Sequence, residues 1–151
     1  RGTFERTAKE FYMSSILQLS FKRIAYTFFL HNMNIKRLHQ QTNLRTDFKM
    51  MIMNLMQNAL KAMPDGGNLA IRLSTGKQIK IEIEDTGQGI PADKLKRIFE
   101  PFYSQGHSSQ HQGTGLGLAI VKSIVEKLNG TIEVKSKPGL GTCFTIKFPL
   151  K

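Results

Sequence analysis

Cysteine is almost absent: Cys143 is the only one in 151 residues. No internal disulfide and no cysteine-based metal cluster can form, and a reducing, cytoplasmic setting is the simplest expectation. Proline is scarce too, five in all, and with 40% hydrophobic residues the composition is that of a globular chain, not a disordered one. Long apolar runs are missing. The longest near the N-terminus, Ile24 to Leu30, is too short to span a bilayer, Lys22 and Arg23 flank it, and no signal-peptide pattern leads into it. No direct membrane contact is therefore expected of these residues. Acidic side chains are outnumbered two to one, 11 against 22, giving a net charge of +11. Residues 1–50 carry nine Lys/Arg against three Asp/Glu, so the excess is spread and not held in one tract. No zinc-finger, helix-turn-helix or RNA-recognition signature accompanies it. A solvated basic surface is the preferred reading, and no nucleic-acid partner is expected.

What is present reads as one domain with a proper core. Residues 7–31 predict a helix, with Phe11, Ile16, Leu17, Phe21, Ile24, Ala25, Phe28 and Phe29 mostly at three- and four-residue spacings, and Ile35–Leu38 an edge strand. Thr46 is expected to cap a second helix, Asp47 to Met63, ended by Pro64-Asp65-Gly66-Gly67. Its apolar arc runs through Phe48, Met51, Ile52, Leu55, Met56, Ala59, Leu60 and Met63, while Asp47, Asn54, Asn58 and Lys61 fall on the opposite side. Asn68–Ser74 and Ile79–Glu84 alternate as strands around a hairpin signal, so one covered face is expected. Asp93 to Ile98 predicts a short helical turn, and Leu116 to Leu128 a third helix closed by Asn129-Gly130. Strands Thr131–Lys135 and Thr142–Phe148 follow across Lys137-Pro138-Gly139. Helices first and hairpin-joined strands later imply an α+β domain, with an antiparallel or mixed sheet covered on one face by helices.

Two glycine clusters bracket a polar segment. Gly113, Gly115 and Gly117 open the third helix, where free N–H groups and the helix dipole favour an anion. They match neither the phosphate-loop consensus nor a dinucleotide fingerprint, and a plain helix-entry turn stays open. Asp85 ends an apolar strand before Gly87 and Gly89; ionised, it is an acceptor suited to an exocyclic amine, although an ordinary Asp-Thr-Gly turn has the same letters. Asn54 and Asn58, one turn apart, present two amide carbonyls suited to a hard cation such as Mg²⁺, with Lys61 beside them for phosphate charge. A solvated helix face is the alternative. His107 and His111 have a metal-compatible spacing but no third ligand, which favours a solvated loop.

Together these segments resemble the catalytic ATP-binding domain of bacterial two-component sensor histidine kinases, in the superfamily shared with gyrase, Hsp90 and MutL. Asn54-Leu55-Met56-Gln57-Asn58-Ala59-Leu60-Lys61-Ala62-Met63 is similar to its N box, Asp85-Thr86-Gly87-Gln88-Gly89-Ile90 to its G1 box and Ile98-Phe99-Glu100-Pro101-Phe102-Tyr103 to its F box. Gly113-Thr114-Gly115-Leu116-Gly117-Leu118-Ala119-Ile120 is similar to the G2 box, and Gly139-Leu140-Gly141-Thr142-Cys143-Phe144 to the turn before the last strand. The order is that of the family.

The resemblance implies a two-layer α/β sandwich of the Bergerat ATP-binding type: a mixed, mostly antiparallel sheet under three helices, with a core over 46–151 and residues 1–45 as an N-terminal helix and edge strand. It implies ATP and Mg²⁺ as ligands. Asp85 would hold the adenine amino group, with Gly87, Gly89 and Ile90 letting the base approach and Thr142 supporting that end. Asn58, with Asn54, would bind Mg²⁺, and Lys61 would neutralise phosphate charge. Backbone around Thr114, Gly115, Leu116, Gly117 and Leu118 would cradle the phosphates. Residues 103–113 would form a lid ending at Gly113 and pinned by Phe99 and Phe102. Hydrolysing relatives place a glutamate at position 54; Asn54 cannot take a proton, which favours transfer to a histidine. Neither His31 nor His39 lies in the family's His-Glu-rich helix start, so the acceptor is expected on a histidine-containing dimerisation domain of the same parent. A response regulator would act downstream, and the parent could be anchored in the inner membrane. The lid has no Lys or Arg between Tyr103 and Gly113, so a nucleotide- or partner-binding module without kinase activity is the alternative.

Overall fold

The computed structural model of the protein describes residues 44–103 and 114–149. The helix expected over 7–31, the strand over 35–38, His31, His39, Gly113 and the lid with His107 and His111 lie outside the described residues.

Helix α1, Leu44–Ala62, starts earlier than expected. Leu44 is buried and extends the apolar stripe by a turn, so Thr46 lies inside the helix and is not its cap. Strands β1, Leu69–Thr75, and β2, Gln78–Asp85, form an antiparallel hairpin. Helix α2, Gly117–Lys127, is followed by β3, Thr131–Lys137, and β4, Gly141–Pro149, a second antiparallel hairpin. Asn129 takes a left-handed φ of 55° just past α2, and the Asn129 and Gly130 N–H groups close onto Glu126 and Val125 carbonyls. That is the Schellman closure, with asparagine in the place glycine usually takes.

The sheet order is β1-β2-β4-β3, and β2 pairs antiparallel with β4. Every pairing among the described residues is antiparallel. Two α-helices are described, and the remaining expected helix, over 7–31, lies outside the described residues. The stretch expected to be helical at Asp93–Ile98 is a chain of tight turns, with N–H to carbonyl bonds from Lys94 to Pro91, Arg97 to Lys94 and Glu100 to Arg97. Ile98 is buried, and Leu95 and Phe99 pack partly buried against the same core, so these turns carry an apolar stripe one turn long.

Alternation decides which face is covered. Leu69, Ile71, Ile79, Ile81, Ile83, Phe144, Ile146 and Phe148 point to the helices and join Phe48, Met51, Leu55, Val121 and Val125 in one core. Each such side chain contributes about 1.5–3 kcal/mol by leaving water. The two helices run antiparallel on that face: Lys127 Nζ meets Asp47 Oδ2 at 2.6 Å at one end, and Asn54 faces Gly117 at the other. The open face is charged, with ion pairs Arg72–Glu84, Lys80–Glu82 and Lys147–Glu133. Among the described residues no helix is long and apolar enough to cross a membrane.

Candidate functional site

The last residue of β2 sits at a junction. Asp85 pairs in register with Leu69 of β1 and Thr142 of β4, and both Asp85 and Thr142 are 5% exposed. They are the only buried polar or charged side chains among the described residues. Burial pushes the Asp85 carboxyl above its usual range; the Gly87 and Thr142 backbone N–H groups pull it back down in part, and the Glu84 charge adds to the rise. The Gly87 N–H donates to Asp85 Oδ1 at 2.9 Å.

After Asp85 the chain threads between α1 and the β3–β4 turn. The Gln88 N–H donates to the Ala62 carbonyl at 2.9 Å, and the Gly139 N–H donates to the Gln88 carbonyl at 2.8 Å. A Cβ on Gly87 would stand 2.5 Å from the Ala62 oxygen, and one on Gly89 2.2 Å from the Lys137 oxygen. The missing side chains are thus used by the protein's own backbone, which packs the loop against its neighbours.

Ser136 was not singled out from the sequence, yet it is the hub of this corner. Its Oγ accepts the Ile90 N–H at 2.8 Å, donates to the Gly141 carbonyl at 2.8 Å and lies 2.9 Å from Thr142 Oγ1. The available signal was the alternation of β3, where Ile132, Val134 and Ser136 share the inward side. A polar residue continuing an apolar series marks a polar task. Gly141 is equally tight: at φ 101°, a Cβ there would be 1.9 Å from the Asp85 carbonyl oxygen.

The other end lies where α1 meets the start of α2. Asn54 is half-buried; its Nδ2 donates to the Met50 carbonyl at 2.9 Å, and its Oδ1 is 3.1 Å from where a Gly117 Cβ would be. Asn58 is half-buried one turn on, and Lys61 is exposed at the last turn. Leu116 precedes α2 without a side-chain cap, and no acidic residue occupies the first turn. Among the described residues neither a side-chain cap at Leu116 nor a first-turn carboxylate competes for the first N–H groups of α2. That is the condition under which a helix start attracts an anion. Thr114 is exposed, and Leu116 and Leu118 are half-buried.

Among the described residues the Phe102 ring joins no core packing. The side chain is 77% exposed, its φ is 65°, and its N–H donates to the Gly115 carbonyl at 3.0 Å. The backbone, not the phenyl group, ties the two described ends of the segment together. A Cβ on Gly115 would stand 2.5 Å from the Phe102 carbonyl carbon, so only glycine fits this contact. Phe99 packs edge-on to Phe144 with ring centroids 6.5 Å apart. The Arg97 guanidinium lies 4.6 Å from the Tyr103 ring centroid and pairs with Glu100.

The structure thus brings Asp85, Gly87, Gly89, Ile90 and Thr142 to one corner and Asn54, Leu116 and Gly117 to another. Helix α1 bridges them, touching Gly117 through Asn54 and the Gly87–Gln88 loop through Ala62, eight residues or about 12 Å apart.

The family model described as histidine kinase-, DNA gyrase B- and HSP90-like ATPase matches residues 43–151. The sensor histidine kinase TmoS of Ectopseudomonas mendocina is 44% identical over 107 residues, which cover 68% of this chain and 11% of that one. The chain therefore spans about a tenth of that relative's length. Among solved structures, the mycobacterial sensor histidine kinase MprB is similar at a TM-score of 0.60 and 32% identity, covering 70% of this chain and 71% of that one. Full-length ShkA in complex with AMPPNP is similar at a TM-score of 0.61 and 28% identity, covering 70% of this chain and 22% of that one.

Proposed function

The chain belongs to the histidine kinase-, DNA gyrase B- and HSP90-like ATPase family, as a catalytic ATP-binding domain of the two-component sensor histidine kinase type, and from that premise we propose that it binds ATP with Mg²⁺ and passes the γ-phosphoryl group to a histidine on a separate dimerisation helix domain of its parent. A response regulator would then take the phosphoryl group onward.

The observation that carries this reading is the pairing of opposite chemistries on one helix-and-sheet frame. At one end the buried Asp85 carboxylate is an acceptor held by two backbone N–H groups. That end takes the adenine amino group, with Ile90 and Thr142 beside it. At the other end the uncapped start of α2 offers N–H donors to phosphate oxygens from Thr114 to Leu118, with Lys61 adding positive charge. Asn58 and Asn54 supply amide oxygens, hard donors suited to Mg²⁺. Among the described residues no three His, Cys, Asp or Glu gather, so the ion would rely on nucleotide phosphates for its remaining ligands. Bound there, Mg²⁺ would neutralise charge on the transferring group.

The chain's own part is positioning. Asn54 has no basic atom, and its Nδ2 is tied to the Met50 carbonyl. It cannot activate water as a carboxylate would, so transfer to a second substrate outruns hydrolysis. Calorimetric titration with a non-hydrolysable ATP analogue, with and without Mg²⁺, tests the binding. Adding a histidine-bearing dimerisation domain with labelled ATP tests the transfer. We expect Mg²⁺-enhanced binding and an acid-labile phosphohistidine. Binding without phosphohistidine would assign the chain to a nucleotide-binding module without kinase activity, the reading the cation-free stretch between Tyr103 and Gly113 favours.

A further inference from the structure

The Ser136 hub has a consequence that rests on the ATP reading above and goes beyond it. A serine hydroxyl has one proton and two lone pairs. The Gly141 carbonyl can only accept, so the Ser136 proton goes there. The Ile90 N–H fills one lone pair. The remaining lone pair of Ser136 then requires the Thr142 hydroxyl to be the donor across their 2.9 Å contact. Thr142 thereby spends its only proton on Ser136, and its oxygen has nothing but lone pairs left to offer. Asp85, its register partner on β2, is also an acceptor when ionised.

We propose that Ser136 is a positioning residue for base specificity: by holding the Thr142 hydroxyl as an acceptor, it makes the Asp85–Thr142 corner acceptor-only, selecting a 6-amino purine over a 6-oxo purine. An amino group brings two N–H donors to such a corner, directly or through a water. A 6-oxo group brings lone pairs against lone pairs. Without Ser136 the Thr142 hydroxyl is free to turn and donate, and the penalty on the oxo base falls.

The test compares ATP with ITP, which carries oxygen in place of the 6-amino group. Dissociation constants for both are measured on the wild type, S136A, S136T, T142V and the S136A/T142V pair. The wild type should prefer ATP, and S136A should narrow that preference about 3- to 10-fold, the worth of one neutral hydrogen bond. S136T, which keeps the hydroxyl, should restore it. In the T142V background, S136A should narrow it no further. If S136A weakens both nucleotides equally, Ser136 only holds the turn and the inference falls. It also falls if the narrowing persists undiminished in the T142V background. Should S136A not fold, T142V decides alone, because it keeps the Ser136 bonds to Ile90 and Gly141; an unchanged ATP-to-ITP ratio overturns the inference. A wild type that binds neither nucleotide would instead remove the ATP reading on which it rests.

Discussion

The two ends of the candidate site are built differently. At the base end, buried side chains are locked by short hydrogen bonds that join β2, β3, β4 and the loop after Asp85. Close backbone approaches at Gly87, Gly89 and Gly141 leave no slack. At the phosphate end the groups are half-buried or exposed, and what they offer is an uncapped helix start, two amides and a lysine. A neutral, flat base is recognised by shape and by a fixed donor–acceptor pattern, which needs rigidity before the ligand arrives. A triphosphate with its metal brings its own charge and coordination preferences, and polar groups of the right sign in roughly the right place suffice.

The sharpest way to break the base end is Gly141→Ala. Its Cβ would collide with the Asp85 carbonyl at a φ that side chains avoid, so a loss of about 3–5 kcal/mol is expected in denaturant unfolding. Gly139→Ala is the control, at φ 75° with nothing within 4 Å, and should cost only about 1–2 kcal/mol. Equal effects would mean that the tight packing of this corner is not what holds it.

Asp85→Asn separates stability from binding. ATP affinity should fall about 10- to 100-fold, the worth of a hydrogen bond to a charged group. Unliganded stability should move the other way. Because burial raises the folded-state pKa of Asp85 above its unfolded value, the folded domain holds that proton more tightly. Its contribution to stability therefore declines as pH rises from the unfolded pKa through the folded one, and stays low at neutral pH. Asparagine removes that slope, so unfolding curves for the variant should be flatter across the acidic range and higher at pH 7. A wild-type stability rising through that range because of Asp85 would contradict the burial argument.

At the phosphate end, Asn58→Ala should erase most of the gain in ATP affinity that Mg²⁺ supplies, up to about tenfold, while leaving metal-free binding nearly unchanged. The smallest effect belongs to Lys127→Ala, which breaks the ion pair with Asp47 far from either end. Its side chain is half exposed, so no more than about 1 kcal/mol is expected, with nucleotide affinity unaltered.

Local pattern carried much of the fold into view. Alternation located four strands, and three- and four-residue spacing located α1 and α2, because one-sided burial writes a period into the chain. The β2–β4 pairing was not legible, since nothing local records which strand of one hairpin meets the other. Over residues 93–98, where a short helical turn is expected, the chain makes successive three-residue turns, with Leu95, Ile98 and Phe99 packed on the core. In the site, Asp85, Asn54 and the glycines stood out through residue type and spacing. Ser136 did not: its bond to Ile90 spans 46 positions, and a serine in a strand signals nothing alone. Phe102 contrasts with it: an aromatic residue invites a packing role, and among the described residues the contact to Gly115 is made by its backbone.

The sheet has one further property, set by its register. Asp85 and Thr142 lie at one end, while the β1–β2 turn, closed by the Thr75–Ile79 pair, and the Gln78–Pro149 pair lie at the other. Seven residue steps of β2 separate Gln78 from Asp85, roughly 23 Å. A side chain on Gly76 would meet nothing within 4 Å. That turn is where added sequence does least harm: a reporter, an epitope or an entire inserted module grafted there would ride on the domain without entering the nucleotide's neighbourhood.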